Sequence, residues 1–109
     1  MTGLLGLPSA YLSMHESDLL IMLGTDFPYE TFMPVNCKIV QVDSRPERIG
    51  RRAKVDYGFA GDIRETLKML IPHLEKKTDM EFLEEIREDY VHHNNLFKNT
   101  ATKKVKSII

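Results

Sequence analysis

The strongest constraint in this sequence is a set of short apolar runs that stop abruptly on glycine or aspartate. Leu19-Leu20-Ile21-Met22-Leu23 ends at Gly24, Lys38-Ile39-Val40-Gln41-Val42 ends at Asp43, and the run over residues 55–60, interrupted by Gly58, ends at Gly61-Asp62. Apolar runs this short, without polar alternation, predict strands buried on both faces, and such strands belong to parallel sheets covered by helices. The expected fold class is therefore α/β: a partial three-layer, Rossmann-like domain of three parallel strands with flanking helices.

The rest of the chain supplies the helices. Residues 2–6 are glycine-rich, and Pro8-Ser9 opens a short helix through Tyr11, Leu12 and Met14. After Asp62 the period becomes helical, with Ile63, Leu67, Leu70, Ile71 and Leu74 on one face. Asp62 and Glu65 read as a capping box, and Pro72 bends or frays the helix near its end. Thr78 and Glu81 offer a second capping box for a helix carrying Phe82, Leu83, Ile86 and Tyr90. From Asn94 the sequence turns polar and basic and reads as a poorly ordered linker or tail. The organisation expected is a partial domain over residues 1–77, a following helix over 78–93 and a linker or tail over 94–109. One short helix before the strands and two after them leave the sheet short of cover.

Composition narrows the classes of function. With 109 residues there is room for a single modest core, and 42% apolar and 28% charged residues with a net charge of −1 describe an ordinary globular chain. Nothing favours a nucleic-acid partner. No apolar stretch reaches the length of a membrane span and no signal peptide is apparent, so a cytoplasmic setting is expected. The single cysteine, Cys37, reads as a small apolar residue leading into a strand.

In an open parallel sheet, ligands bind in the crevice beyond the carboxyl ends of the strands. The residues to inspect are therefore Gly24-Thr25-Asp26-Phe27-Pro28, Asp43-Ser44-Arg45 and Gly61-Asp62. Glycine lets a ligand approach the backbone, and a carboxylate at a strand end can accept hydrogen bonds from ribose hydroxyls. Asp43 can equally begin a turn and Asp62 can equally cap a helix, and spacing leaves both readings open. Neither GxGxxG nor a Walker loop is present. Arg45, Arg48, Arg51 and Arg52 form a basic cluster better read as an ion-paired or solvated turn than as a phosphate site. His92 and His93 are adjacent and cannot chelate one metal as an i, i+4 pair would. No catalytic residue and no metal ligand is assigned.

Taken together, Met1-Thr2-Gly3-Leu4-Leu5-Gly6, Met22-Leu23-Gly24-Thr25-Asp26-Phe27-Pro28-Tyr29, Lys38-Ile39-Val40-Gln41-Val42-Asp43, Lys54-Val55-Asp56 and Gly61-Asp62-Ile63 resemble, in order and spacing, the central domain of bacterial pyruvate oxidases. These are thiamine diphosphate-dependent enzymes, a family that includes acetolactate synthase. The resemblance runs from Met1 to about Tyr90 and implies a DHS-like NAD/FAD-binding domain that holds FAD. Contacts are implied at Thr2, Gly3, Leu4, Gly24, Thr25, Asp26, Phe27 and Pro28, with Asp43 and Asp62 near the adenosine end.

The family reaction is oxidative decarboxylation of pyruvate, with electrons passing through FAD to a quinone or oxygen. Thiamine diphosphate and Mg²⁺ are expected only in the full-length parent, and the fragment is expected to be inactive alone. A peripheral membrane association is open for the parent. Glu30 stands where a basic residue is expected in close relatives. The family's central domain is expected to begin earlier, with two strands and a helix, so an exposed sheet edge and a homodimer are anticipated. The ligand expected is FAD or an ADP-like molecule.

Overall fold

The computed structural model describes residues 6–106, with side chains as far as residue 100. The chain forms two compact units, one built from the residues up to Ser13 and from Lys77 onward, the other from Met14–Lys76.

In the second unit, β1 (Leu19–Leu23), β2 (Lys38–Asp43) and β3 (Tyr57–Ala60) form one parallel sheet in the order β1-β2-β3. Leu19 pairs with Lys38 and Leu23 with Val42, while Val40 pairs with Tyr57 and Asp43 with Ala60. The α/β architecture expected from the apolar runs is the one observed. β3 begins at Tyr57 rather than at Val55. The reason lies in Asp56, whose amide donates to the Ile39 carbonyl while its carboxylate accepts the Ile39 amide, both at 2.8 Å. A side chain thus occupies the place of a ladder carbonyl, and pairing by backbone alone starts one residue later.

The two faces of the sheet differ. Leu20, Met22, Ile39, Gln41, Asp43, Gly58 and Ala60 share one face by register. Over it lie the two crossovers, residues 24–37 and 44–56, each with a single 3₁₀ turn (Glu30–Phe32 and Pro46–Arg48) and no α-helix. The core is there: Met22, Met33 and Ile39 are buried, with Leu20, Phe27, Cys37, Ala53 and Val55 packed against them. Gln41, buried in the same layer, donates from Nε2 to the Arg48 carbonyl and accepts the Gly50 amide at Oε1 (2.9 Å), pinning the second crossover to β2.

On the opposite face, Leu19, Ile21, Leu23, Tyr57 and Phe59 remain 38–60% exposed, so β1 and β3 are not buried on both faces as their composition predicts. Only Val42 on that face is enclosed, at 3% exposure. Within this unit α2 lies beside Phe59 and leaves the outer positions of β1 open to solvent.

The first helix of this sheet, numbered α2, spans Ile63–Leu70 and passes into a 3₁₀ turn at Ile71–His73 containing Pro72, as the position of the proline predicts. Asp62 accepts the Glu65 amide at 3.0 Å and caps it. Only this half of the capping box forms, because the Glu65 carboxylate is engaged by Lys68 Nζ at 2.8 Å.

α1 (Pro8–Glu16) opens with proline at its first position. In the first unit, α3 runs over Glu81–Lys106. Its start differs from expectation: Asp79, not Thr78, accepts the Glu81 amide at 2.9 Å. Its end differs more. The segment from Asn94, expected as a poorly ordered linker or tail, is helical as far as Lys106. Neither glycine nor proline interrupts residues 74–109, and straight-chain lysines with alanine propagate a helix that is already nucleated.

Gly58 allows the second crossover to close on the sheet. A Cβ there would sit 2.4 Å from Ile49 Cγ2. Gly58→Ala is expected to destabilise the chain by about 1–3 kcal/mol through overpacking, read by urea unfolding. Adding Ile49→Ala should recover part of that loss, and a non-additive double-mutant cycle would verify the contact.

Candidate functional site

The carboxyl ends of the three strands form one row. The Gly24 amide donates to the Val42 carbonyl at 2.8 Å and the Gly61 amide to the Asp43 carbonyl at 3.0 Å, so both glycines extend the ladder one step past the strands. Gly24, Asp43 and Gly61-Asp62 therefore stand side by side at the edge where a parallel sheet offers its crevice. Thr2, Gly3 and Leu4, the other implied contacts, lie outside the described residues.

Several of the described candidates have a definite local role. Gly24 is left-handed, with φ of 61°, and a Cβ on it would meet Ile63 Cδ1 at 2.6 Å; the glycine lets the start of α2 approach the end of β1. Thr25 and Pro28 are exposed. Phe27 packs on the core and stands edge-on to Tyr29, with ring centroids 5.5 Å apart. Asp62 is exposed and caps α2 through one oxygen. Asp43 is 2% exposed and its Oδ1 accepts the Arg45 amide at 2.9 Å, an Asx turn at the strand end. Its Oδ2 has no hydrogen-bond partner, and the Arg48 guanidinium, 4.0 Å away, is a charge neighbour rather than a donor.

The turn-forming and helix-capping roles left open by spacing are thus both present in the geometry. One carboxylate oxygen of Asp43 is left over.

Asp26 is bound on both oxygens: Arg52 Nε donates to Oδ1 at 2.9 Å and Arg51 Nη1 to Oδ2 at 3.3 Å. The hydrogen bond from Arg52, opposed by desolvation and aided by the charges of Arg52, Arg51 and Arg48, holds the Asp26 carboxyl below the usual aspartate range. The same hydrogen bond raises the Arg52 guanidinium above its ordinary value, against desolvation, with further help from the Asp26 charge and from Glu30. Glu30 reaches Arg52 Nη1 at 3.5 Å. Three of the four arginines, Arg48, Arg51 and Arg52, lie within 4.0 Å of a carboxylate, in keeping with an ion-paired turn.

Two cavities adjoin these elements. One, of about 560 Å³, is a largely apolar groove between β3 and α2 whose lining includes Phe59, Asp62, Glu65, Met69, Leu70 and His73. The other, of about 430 Å³, lies by the amino ends of β2 and β3 among Cys37, Ile39, Arg52, Lys54 and Asp56, away from the strand ends. Among the described residues no cluster of three or more histidine, cysteine or acidic side chains is placed to hold a metal. Nor is any helix of the described residues long and apolar enough to cross a membrane.

Sequence reasoning missed Gln41 and Asp56, whose side chains hold the crossovers, and the pairing of Arg52 with Asp26. Polar residues inside or beside apolar runs were the available signal for the first two.

Three parallel strands in one sheet with flanking helices, and a glycine and aspartate row at the carboxyl edge, are consistent with a partial Rossmann-like α/β domain. Residues 1–70 match the family of thiamine pyrophosphate enzyme central domains, and the chain belongs to that family. It is 51% identical over 84 residues to an uncharacterized 42.6 kDa protein in the isoamylase 3′ region of Pseudomonas amyloderamosa, covering 77% of this chain and 21% of that protein. With the putative thiamine pyrophosphate-containing protein YdaP of Bacillus subtilis it shares 39% identity over 101 residues, 93% of this chain and 18% of YdaP. The acetolactate synthase large subunit of Corynebacterium glutamicum is 36% identical over 77 residues, 65% of this chain and 12% of that subunit. The chain thus spans about a fifth of the length of the first two relatives.

The Asp26 pairing has a pH signature. Because its folded-state pKa is lowered, Asp26 contributes stability that is fully present above the ordinary aspartate value of 3.8 and is lost as pH falls through the lowered folded value. Asp26→Asn should remove that contribution, so the gap in melting temperature between the parent chain and the variant narrows as pH drops below about 4.

Proposed function

We propose that this chain is the nucleotide-holding portion of the central domain of a pyruvate oxidase, that its ligand is FAD or an ADP-like molecule, and that it performs no catalysis alone. The observation that carries the reading is the row of Gly24, Asp43 and Gly61-Asp62 along the carboxyl edge. The free Oδ2 of Asp43 suits a ribose hydroxyl, which would reach it once the turn at Ser44 and Arg45 opens. The groove lined by Phe59, Met69 and Leu70 is apolar enough for a flat ring, and Asp62 in the same lining can act as acceptor.

The residues present therefore fit the adenosine end of FAD, which supplies redox chemistry when bound in the parent. Pyruvate oxidase is preferred on the 24–29 segment. The likeness to acetolactate synthases supports the alternative of a domain from that branch. Thiamine diphosphate and Mg²⁺ belong, on this reading, to other parts of the parent.

Titration with FAD and with ADP should raise the melting temperature, because a ligand that binds only the folded chain stabilises it by mass action. No shift at millimolar ligand would contradict the reading.

A second reading, self-association, is favoured by the uncovered face of Leu19, Ile21, Leu23, Tyr57 and Phe59 and by the unpaired outer edges of β1 and β3 among the described residues. It makes the chain a homodimer. Sedimentation should show a dimer at tens of micromolar that Ile21→Lys converts to monomer. A parent chain that is monomeric and binds no hydrophobic dye would contradict it.

A further inference from the structure

Both crossovers lie over the same sheet face, and neither contains an α-helix to stiffen it. Long connections without regular structure stay in place only when side chains tie them down. Polar ties between these two crossovers centre on the guanidinium of Arg52. Arg52 Nε donates to Asp26 Oδ1 at 2.9 Å while its Nη1 lies 3.5 Å from Glu30 Oε1. Arg51 adds a contact of 3.3 Å to the other oxygen of Asp26. Arg52 and Asp26 are each about one-fifth exposed, whereas Arg51 is more than half exposed, so the Arg52 pair is the less screened of the two.

We propose that Arg52 is a positioning residue for the strand-end crevice: from the second crossover it grips Asp26 and Glu30 of the first, and so fixes segment 24–28 for an anionic ligand. On this assignment Asp26 serves the grip, with an arginine donor on each of its oxygens. A second effect follows from charge. Two carboxylates beside a crevice would repel a diphosphate; Arg51 and Arg52 cancel them. Lysine cannot reproduce the grip, because its single ammonium lacks the planar fork that spans two carboxylates. The link to ligand binding rests on the nucleotide reading above; the grip on the loop does not.

The test is ¹⁵N relaxation of the full chain without ligand, followed by ADP titration of the same samples. Arg52→Ala should lower the order parameters of Thr25, Asp26, Phe27 and Tyr29 from about 0.85 to below about 0.6 and leave those of β2 unchanged. The Asp26 carboxyl should return to the ordinary aspartate range, and Arg52→Lys should fall in between. ADP affinity should drop on the order of tenfold if about a tenth of the loop population stays competent.

If Arg52→Ala also loosens β2, Glu30→Gln decides: Glu30 is 60% exposed and outside the core, and losing its arm of the grip should loosen Tyr29 and residue 30. Unchanged order parameters in both variants would overturn the proposal. An Arg52→Ala chain that loosens and shows the Asp26 shift, from a parent that binds no ADP, would uphold the grip and overturn the nucleotide reading instead.

Discussion

The central strand carries this structure. Among the described residues β2 is the one strand paired on both sides, and its Ile39, Gln41, Val42 and Asp43 are buried, whereas β3 is exposed along its whole length. Each neighbour is held to it by ladder bonds that run one residue past the strand, through the amides of Gly24 and Gly61. Each crossover is held beneath it by a polar side chain: Gln41 pins the second to β2, and Arg52 ties the second to the first. A buried amide satisfied at both ends fixes geometry, because leaving either partner unpaired costs about 1–3 kcal/mol. The row of strand ends that makes the candidate site is a consequence of that register.

Much of this is legible in the sequence, for reasons that differ by element. The apolar runs locate all three strands because enclosure between layers selects against polar alternation. The Asp62 cap is legible because helix starts are chemically local. The burial of β1 and β3 is not, since composition reports what a strand is suited to pack against and not whether a layer is there. The extension of α3 past Asn94 is missed because polarity was read as absence of structure, although lysine and alanine are good helix formers. The Arg52–Asp26 pair joins residues 26 apart in sequence, and only the folded crossovers bring them together.

At the site, the sequence offered each aspartate two roles, and the structure separates them by oxygen atom. Asp62 spends one oxygen on the α2 amide, and Asp43 spends one on the turn at Arg45. The unspent oxygen of Asp43 is buried at the sheet edge without a donor, an arrangement that normally calls for an explanation. On the proposed reading, a ligand hydroxyl would supply one. Residues 1–70 match the thiamine pyrophosphate enzyme central domains, and the chain spans about a fifth of the length of its first two relatives. Leu19, Ile21, Leu23, Tyr57 and Phe59 on the other face of the sheet remain exposed among the described residues.

The central claim is that the carboxyl edge of the sheet is a nucleotide site. The most direct measurement is a map of amide chemical-shift changes on adding ADP to the ¹⁵N-labelled chain. The account predicts that they cluster on Gly24, Thr25, Ser44, Arg45, Gly61 and Asp62. Saturable changes confined to the cavity by Cys37 and Lys54, or no saturable changes at all, would contradict it.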